Sequence, residues 1–224
     1  PDEGRRKLAE TPALFREFSN PDVFLLIPRH SSEHRRYIPV GFLDNKHIPH
    51  DSALIIPNAG LYHFGILTSS VHMAWTRAVC GRLEMRYRYS KDIVYNNFIW
   101  PVASEKQRAA IEELAQGILD ARAKNPNSSF ADLYDPLAMP PELLKAHNAL
   151  DRAVLKLYGF GKEMTEPEIV GELMENYQEL LHRKANEVIE QYSNFRFHSP
   201  FTASQARLWT ISGRDSQANP GIAV

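Results

Sequence analysis

Glu84 and Arg86 stand two residues apart in the run Gly81-Arg82-Leu83-Glu84-Met85-Arg86-Tyr87-Arg88-Tyr89-Ser90. The run alternates: Glu84, Arg86 and Arg88 share one parity, and Leu83, Met85, Tyr87 and Tyr89 share the other. A period of two predicts a strand with one packed face and one face of long side chains with hydrogen-bonding ends. Such a face suits the edges of nucleic-acid bases. A guanidinium donates two parallel hydrogen bonds to guanine O6 and N7, and a carboxylate accepts from cytosine N4. Residues two apart on a strand are separated by about 7 Å, so Glu84 and Arg86 are spaced to reach one base pair. The same spacing describes a surface ion pair, which stabilises by at most about 1 kcal/mol. The residues alone leave both readings open and favour the ion pair.

Around this run lie other groups suited to a polyanion. Arg35, Arg36, Arg77, Arg82, Arg88 and Lys91 are candidate phosphate contacts, and Ser31, Ser32, Ser69 and Ser70 are candidate donors to phosphates or bases. Phosphate contacts set register but carry no sequence information. Ser69 and Ser70 also suit a helix cap, since they precede the helical run 71–79. Trp75, Tyr87, Tyr89, Phe98 and Trp100 read as core rather than as base-stacking groups. The charge is uneven. From Arg29 to Lys91 there are nine Lys/Arg and four Asp/Glu, with six of the nine histidines, whereas from Asp92 to Tyr192 there are ten Lys/Arg and seventeen Asp/Glu. A basic segment beside an acidic one predicts two jobs, with phosphate binding assigned to the first.

Other constellations carry less. Asp22 with Asp44-Asn45-Lys46 spells the spacing of a metal-dependent nuclease, but Asp44-Asn45 also suits a turn after a strand. His30, His34, His47, His50, His63 and His72 match no closed ligand set and read as polar surface residues. A single cysteine, Cys80, excludes an internal disulfide and thiolate-rich zinc sites and fits a reducing cytoplasm. No run of about 18 apolar residues is present, so no membrane span is expected. The start, Pro1-Asp2-Glu3-Gly4-Arg5-Arg6-Lys7, has no apolar stretch behind it and no initiator Met, and reads as an internal point of a longer chain.

The elements that must position these groups follow from periodicity. The 224 residues, 43% hydrophobic and 24% charged, suffice for one large domain or two small ones. Residues 1–20 read as a short helix. Strands are predicted at 23–28, 35–43 and 53–57, a helix at 71–79, the alternating strand at 81–90, and a strand or turn over 93–101. From Ser104 the period becomes helical. Gln107 stands at the capping-box offset from Ser104, and Ile111, Leu114, Ala115, Ile118 and Leu119 keep one face. Further helices are predicted over 140–158 and 166–192, with 193–224 an extended tail. Change of period and change of charge sign coincide near 102–104. The expected class is α+β: a mixed or antiparallel β-rich domain over 1–102, a small all-helical domain over 103–192, then the tail.

Several runs together carry a resemblance. They include Ser31-Ser32-Glu33-His34-Arg35-Arg36-Tyr37-Ile38-Pro39-Val40-Gly41-Phe42, Leu67-Thr68-Ser69-Ser70-Val71-His72-Met73-Ala74-Trp75, Gly81-Arg82-Leu83, Arg88-Tyr89-Ser90 and Tyr95-Asn96-Asn97-Phe98-Ile99-Trp100-Pro101. Ala131-Asp132-Leu133-Tyr134-Asp135-Pro136-Leu137 and Met139-Pro140-Pro141-Glu142-Leu143-Leu144-Lys145-Ala146-His147 follow. Over about residues 10–160 the chain resembles the C-terminal part of the MmeI-like family of single-chain restriction-modification enzymes and related DNA methyltransferases. The resemblance implies a target-recognition domain and the helical domain after it. It also implies a parent that methylates the exocyclic amine of adenine with S-adenosylmethionine, double-stranded DNA as partner, and the parent's own N-terminal methyltransferase domain as neighbour. In that family the positions matching Glu84 and Arg86 vary with the base read, and Glu with Arg goes with a C·G pair. The resemblance tips the balance toward base reading.

The chain itself lacks a methyltransferase's Gly-rich cofactor turn after a strand and its Asn/Asp-Pro-Pro-aromatic loop. Asn96-Asn97-Phe98 lacks the two prolines of that loop, and Gly159-Phe160-Gly161 follows a predicted helix and reads as its end. No catalytic role, cofactor or metal is therefore expected within these residues. Two alternatives stay open: a protein-interaction scaffold without direct DNA reading, and a hydrolase at Asp22 and Asp44-Lys46.

Overall fold

The computed structural model describes residues 3–10 and 21–193. In chain order its elements are α1 (Glu3–Glu10), β1 (Val23–Pro28), β2 (His30–Ser31), β3 (Gly41–Asp44), β4 (Ala53–Pro57), α2 (Leu61–Leu67), α3 (Ser70–Val79), β5 (Gly81–Leu83) and β6 (Arg86–Arg88). A π-helical turn at Lys91–Tyr95 follows, then α4 (Glu105–Ala123), α5 (Phe130–Leu133), α6 (Pro141–Tyr158) and α7 (Glu166–Ser193). Sheets lie in the first half and helices dominate the second, an α+β arrangement. The chain divides into two compact units, 1–178 and 179–224. In the second, the described residues continue α7 as far as Ser193. The part of the 1–20 helix beyond Glu10 and the tail from 194 lie outside the described residues.

β1 is the centre of an antiparallel sheet ordered β3-β1-β4. Its run Val-Phe-Leu-Leu-Ile-Pro is apolar on both parities because both faces are covered, and Phe24, Leu25 and Ile27 are buried. The second sheet, β2-β6-β5, is small and carries the exposed arginines. Between the sheets in sequence come α2 and α3. Ser69 caps α3 through its Oγ, which accepts from the His72 N–H at 3.3 Å. Thr68 and Ser69 also turn their hydroxyls back onto the carbonyls of Phe64 and Ile66, both at 2.7 Å.

One hydrophobic core runs through both halves of the first unit, from Leu25, Phe64 and Trp75 to Ile118, Leu143 and Leu173. α4 packs on α2 and α6, and α6 also reaches α3. Gly65 lets α2 and α4 approach closely: a Cβ there would lie 2.8 Å from Ile111 Cγ2. α4 begins with the expected capping box, Gln107 N–H to Ser104 Oγ and Gln107 Oε1 to the Ser104 N–H at 2.9 Å. α6 ends at Gly159, whose φ of 77° is the left-handed cap that glycine accepts without strain. Gly159-Phe160-Gly161 is thus a helix end.

Four expectations need correction. The strand foreseen over 35–43 begins only at Gly41. Residues 35–40 lack ladder partners because Tyr37 and Ile38 face inward to partners on helices: the Tyr37 hydroxyl meets Asp151, and the Ile38 N–H meets the Met73 sulfur at 3.4 Å. The strand over 81–90 is a hairpin, β5 and β6 joined by a turn at Glu84-Met85. Residues 91–95 wind into a π-helical turn capped by Ser90 and held by the Trp75 Nε1–H, which donates to the Val94 carbonyl at 2.9 Å. Finally, α2 and α5 were not foreseen; each is too short to show a period, and α5 rests on a capping box between Ser129 and Asp132.

Candidate nucleic-acid interface

The hairpin register decides which side chains share a face. Leu83 pairs with Arg86, Arg82 with Tyr87, and Gly81 with Arg88; on the far side His30 pairs with Arg88 and Ser31 with Tyr87. Residues directly opposite project to the same side of an antiparallel pair. Leu83, Arg86, Arg88 and His30 therefore form the outer face, and all are exposed. Ser31, Tyr87 and Arg82 share the inner face, where Ser31 and Tyr87 are buried and Arg82 stays exposed. Gly81, with no side chain, leaves Arg88 clear on its β5 side.

Glu84 sits in the turn rather than on the strand, with φ of 57°. A turn with positive φ at its first central residue usually places glycine there, because a Cβ costs about 1–2 kcal/mol in that conformation. Glu84 Oε2 accepts from Arg86 Nη2 at 2.7 Å, and the two side chains remain 75% and 50% exposed. Met85 beside them is 69% exposed. The sequence pattern foresaw Met85 and Leu83 as packed; the turn releases them, because only Tyr87 and Tyr89 of that parity reach the core.

The other candidate contacts divide. Arg88 and Lys91 are exposed. Arg35 is half-buried and donates to Ser31 Oγ at 3.4 Å. Arg36 is exposed, donates to Asn148 Oδ1 at 2.8 Å and lies 3.7 Å from Asp151. Ser69 is fully buried and both its hydrogen bonds are internal, so the cap reading holds and a DNA contact does not. Ser70 gives its backbone N–H to Asp151 Oδ1 at 2.7 Å. Arg77 directs Nε to the Tyr87 hydroxyl at 3.2 Å, Nη2 to the Arg36 carbonyl at 2.9 Å and Nη1 to Glu166 at 2.8 Å. Arg82 lies 4.4 Å over the Tyr87 ring and donates to the carbonyls of Met85 and Arg77, each at 3.3 Å. Arg77 and Arg82 are thus braces of the hairpin first.

Sequence reasoning passed over Asp151 and Glu166. Asp151 is buried on α6, where it accepts from the Tyr37 hydroxyl at 2.6 Å and from the Ser70 N–H. Burial raises its pKa above the usual carboxylate value, although those hydrogen bonds and Arg36 oppose the shift. One sign was available: Asp151 stands four residues after His147 and four before Leu155, an acid on the apolar side of a helix. His72, read as a surface residue, is also buried. It sits on the inner side of α3 and meets the Tyr89 hydroxyl at 2.9 Å, and burial lowers its pKa to about 3.

The remaining decoys resolve locally. Asp44 meets His47 Nδ1 at 2.6 Å and the Lys46 N–H at 3.1 Å, and Asp22 accepts from Asn45 at 2.9 Å. This is the turn after β3. Among the described residues no group of three or more His, Cys, Asp or Glu could hold a metal ion. None of their helices is long and apolar enough to cross a membrane. Trp75, Tyr87, Tyr89 and Phe98 are buried and Trp100 packs against them, as expected of core.

An α+β unit that braces a short hairpin from behind and displays acid and guanidinium groups at its tip is a recognition module in form. Comparison with known proteins agrees. Residues 1–102 match the family model described as MmeI, target recognition domain, and residues 102–184 match MmeI, C-terminal domain. The chain belongs to the MmeI family. It is 38% identical over 183 residues to DNA methyltransferase A of Bacillus subtilis (strain 168), covering 81% of this chain and 21% of that protein. It is 48% identical to the type IIL restriction-modification enzyme MmeI solved in complex with DNA, with a TM-score of 0.75, covering 81% of this chain and 24% of that one. The chain therefore spans about a fifth to a quarter of the length of these relatives.

Proposed function

We propose that the chain is the DNA sequence recognition module of a larger S-adenosylmethionine-dependent, adenine-specific DNA methyltransferase of the restriction-modification type, and that it performs no catalysis itself. The observation that carries this is the exposed Glu84–Arg86 pair at the tip of a hairpin whose outer face also holds Arg88. In this reading the tip enters the major groove of double-stranded DNA. Arg86 donates to guanine O6 and N7, and Glu84 turns from Arg86 to accept from the N4 amine of the paired cytosine. Their contact in the free protein holds both groups at the tip beforehand. In the same reading Arg88, Lys91, Arg35 and Arg36 are the candidate contacts to the flanking phosphates, which would set register. A scaffold role leaves the exposed acid–guanidinium tip without a purpose.

We place the cofactor outside this module, and one feature supports that reading. The one Gly-x-Gly, 159–161, closes a helix instead of following a strand, and Gly159 is occupied as the cap. The cofactor and the reacting adenine belong to the part of the parent that precedes this module, which is also its structural neighbour. The methylated sequence of the full-length protein carrying Glu84→Lys with Arg86→Asp tests the reading. Replacement of one C·G pair in that sequence is the expected result, and an unchanged sequence overturns the base-reading assignment.

A further inference from the structure

We propose that Glu166 and Arg77 are positioning residues for the reading hairpin, so that the C-terminal helical part sets where Glu84 and Arg86 stand. The inference rests on the DNA-reading function proposed above. Arg77 lies in the last turn of α3, and each of its three guanidinium nitrogens goes to a different element. Nε reaches the Tyr87 hydroxyl of β6, Nη2 reaches the Arg36 carbonyl, and Nη1 reaches Glu166 at the start of α7. Tyr87 is the residue after Arg86, and side chains alternate along a strand, so the inward ring of one fixes the outward direction of the other. The Tyr87 hydroxyl donates onward to the Glu33 carbonyl at 3.1 Å, and Arg82 clamps the ring and the Met85 carbonyl together. The path from the helical part to the tip is therefore Glu166, Arg77, Tyr87, Arg86.

A carboxylate 2.8 Å from Arg77 argues against phosphate as that arginine's partner, because it lowers the local positive potential a phosphate would need. The ion pair borders an open cleft of about 290 Å³ lined also by Arg36, Tyr37 and Ser70. Water can enter when Glu166 is shortened, so the loss leaves Arg77 solvated rather than buried and unpaired. The fold survives while the hairpin loses one of its stays.

The test uses the full-length protein and its methylated sequence. Methylation kcat/KM is compared on that sequence and on one altered at the pair read by Glu84 and Arg86. Glu166→Ala is expected to lower this discrimination by about ten- to a hundredfold, the scale set by small misplacements of aligned groups. The salt slope of DNA binding stays unchanged, since no phosphate contact is removed. Glu166→Gln, whose amide oxygen still accepts from Nη1, restores most of the discrimination. If Glu166→Ala is not recovered folded, Glu166→Asp, which withdraws the carboxylate by one methylene, is expected to give an intermediate loss. Unchanged discrimination in the recovered variant overturns the proposal. So does a salt slope that steepens by about 0.9, the signature of Arg77 released onto a phosphate. The Glu84→Lys, Arg86→Asp protein is measured alongside. If it keeps the parental sequence, the base-reading function fails; if it shifts the sequence while Glu166→Ala leaves discrimination intact, only the positioning role fails.

Discussion

The Glu84 carboxylate meets the Arg86 guanidinium at 2.7 Å across a two-residue turn in which Glu84 itself has φ of 57°. A large charged residue therefore occupies a backbone position where glycine carries no steric cost. The position makes sense if the carboxylate, not the turn, is what matters there. Glu84→Gly is expected to leave stability within about 1 kcal/mol of the parent, since relief of the left-handed strain offsets the added freedom of the unfolded chain. The same change is expected to remove discrimination at the base pair assigned above to Glu84 and Arg86. Thermal unfolding and methylation of altered sites, measured on one preparation, check both halves.

Exposed and braced arginines should differ in their salt signature. Arg88→Ala and Lys91→Ala are each expected to weaken DNA binding on all sequences and to reduce the slope of log K against log salt by about 0.9. Arg82→Ala should leave the slope and lower discrimination, because its guanidinium holds the Tyr87 ring and the Met85 carbonyl. Binding isotherms at several salt concentrations separate the two behaviours.

Asp151 joins the helical part to α3 and to the 35–40 segment through two buried hydrogen bonds. Asp151→Ala leaves the Tyr37 hydroxyl and the Ser70 N–H without a partner and is expected to cost about 2–4 kcal/mol in urea unfolding. Asp151→Asn keeps an oxygen for the Ser70 N–H and should cost less. The pKa of Asp151 is raised by burial, so its contribution is fully present below the ordinary carboxylate pKa and declines as pH rises through the raised value. Asp151→Asn should therefore gain ground on the parent as pH rises from 4 toward 7.

Two buried histidines act in the opposite sense. Desolvation is the main cause that lowers the pKa of both His72 and His147 to about 3, from an ordinary value of 6.5. The native state keeps both neutral, while the unfolded state takes up their protons below pH 6.5. Their contribution is complete above that pH and falls away as pH drops toward 3. Where both unfolded-state imidazoles are protonated, stability should fall by about 2.7 kcal/mol per pH unit. Denaturant unfolding of the Asp151→Asn protein between about pH 7 and pH 5 would expose the onset, because the raised Asp151 carboxyl is then absent and ordinary carboxylates titrate below that range. A flat profile there contradicts the burial of these rings.

The longer helices α3, α4, α6 and α7 were legible because their signals are local, whereas the short α2 and α5 were not. Ser104 with Gln107, Ser69 before His72, and Gly159 after Tyr158 lie within four residues of what they cap, and the apolar stripe of α6 lies along one segment. The strands 23–28 and 53–57 were legible for the same reason, as apolar runs bounded by turn residues. The resemblance to a family rested likewise on ordered runs of residues, and it pointed to the acid and guanidinium at 84 and 86. What the linear order did not contain was the partner of each long-range group. Alternation continues unbroken through Leu83-Glu84-Met85-Arg86, with no glycine or asparagine to mark a turn, and only the inward anchoring of Tyr87 folds that stretch back on itself. Arg77 looks like any surface cation until Tyr87, Arg36 and Glu166 close around it. Tyr37 looks like a strand residue until Asp151, 114 positions away, accepts a hydrogen bond from its hydroxyl. Local hydrogen bonds and periodicity are written into neighbouring residues, whereas burial and ion pairing depend on which distant segments meet, and that is decided only when the core closes.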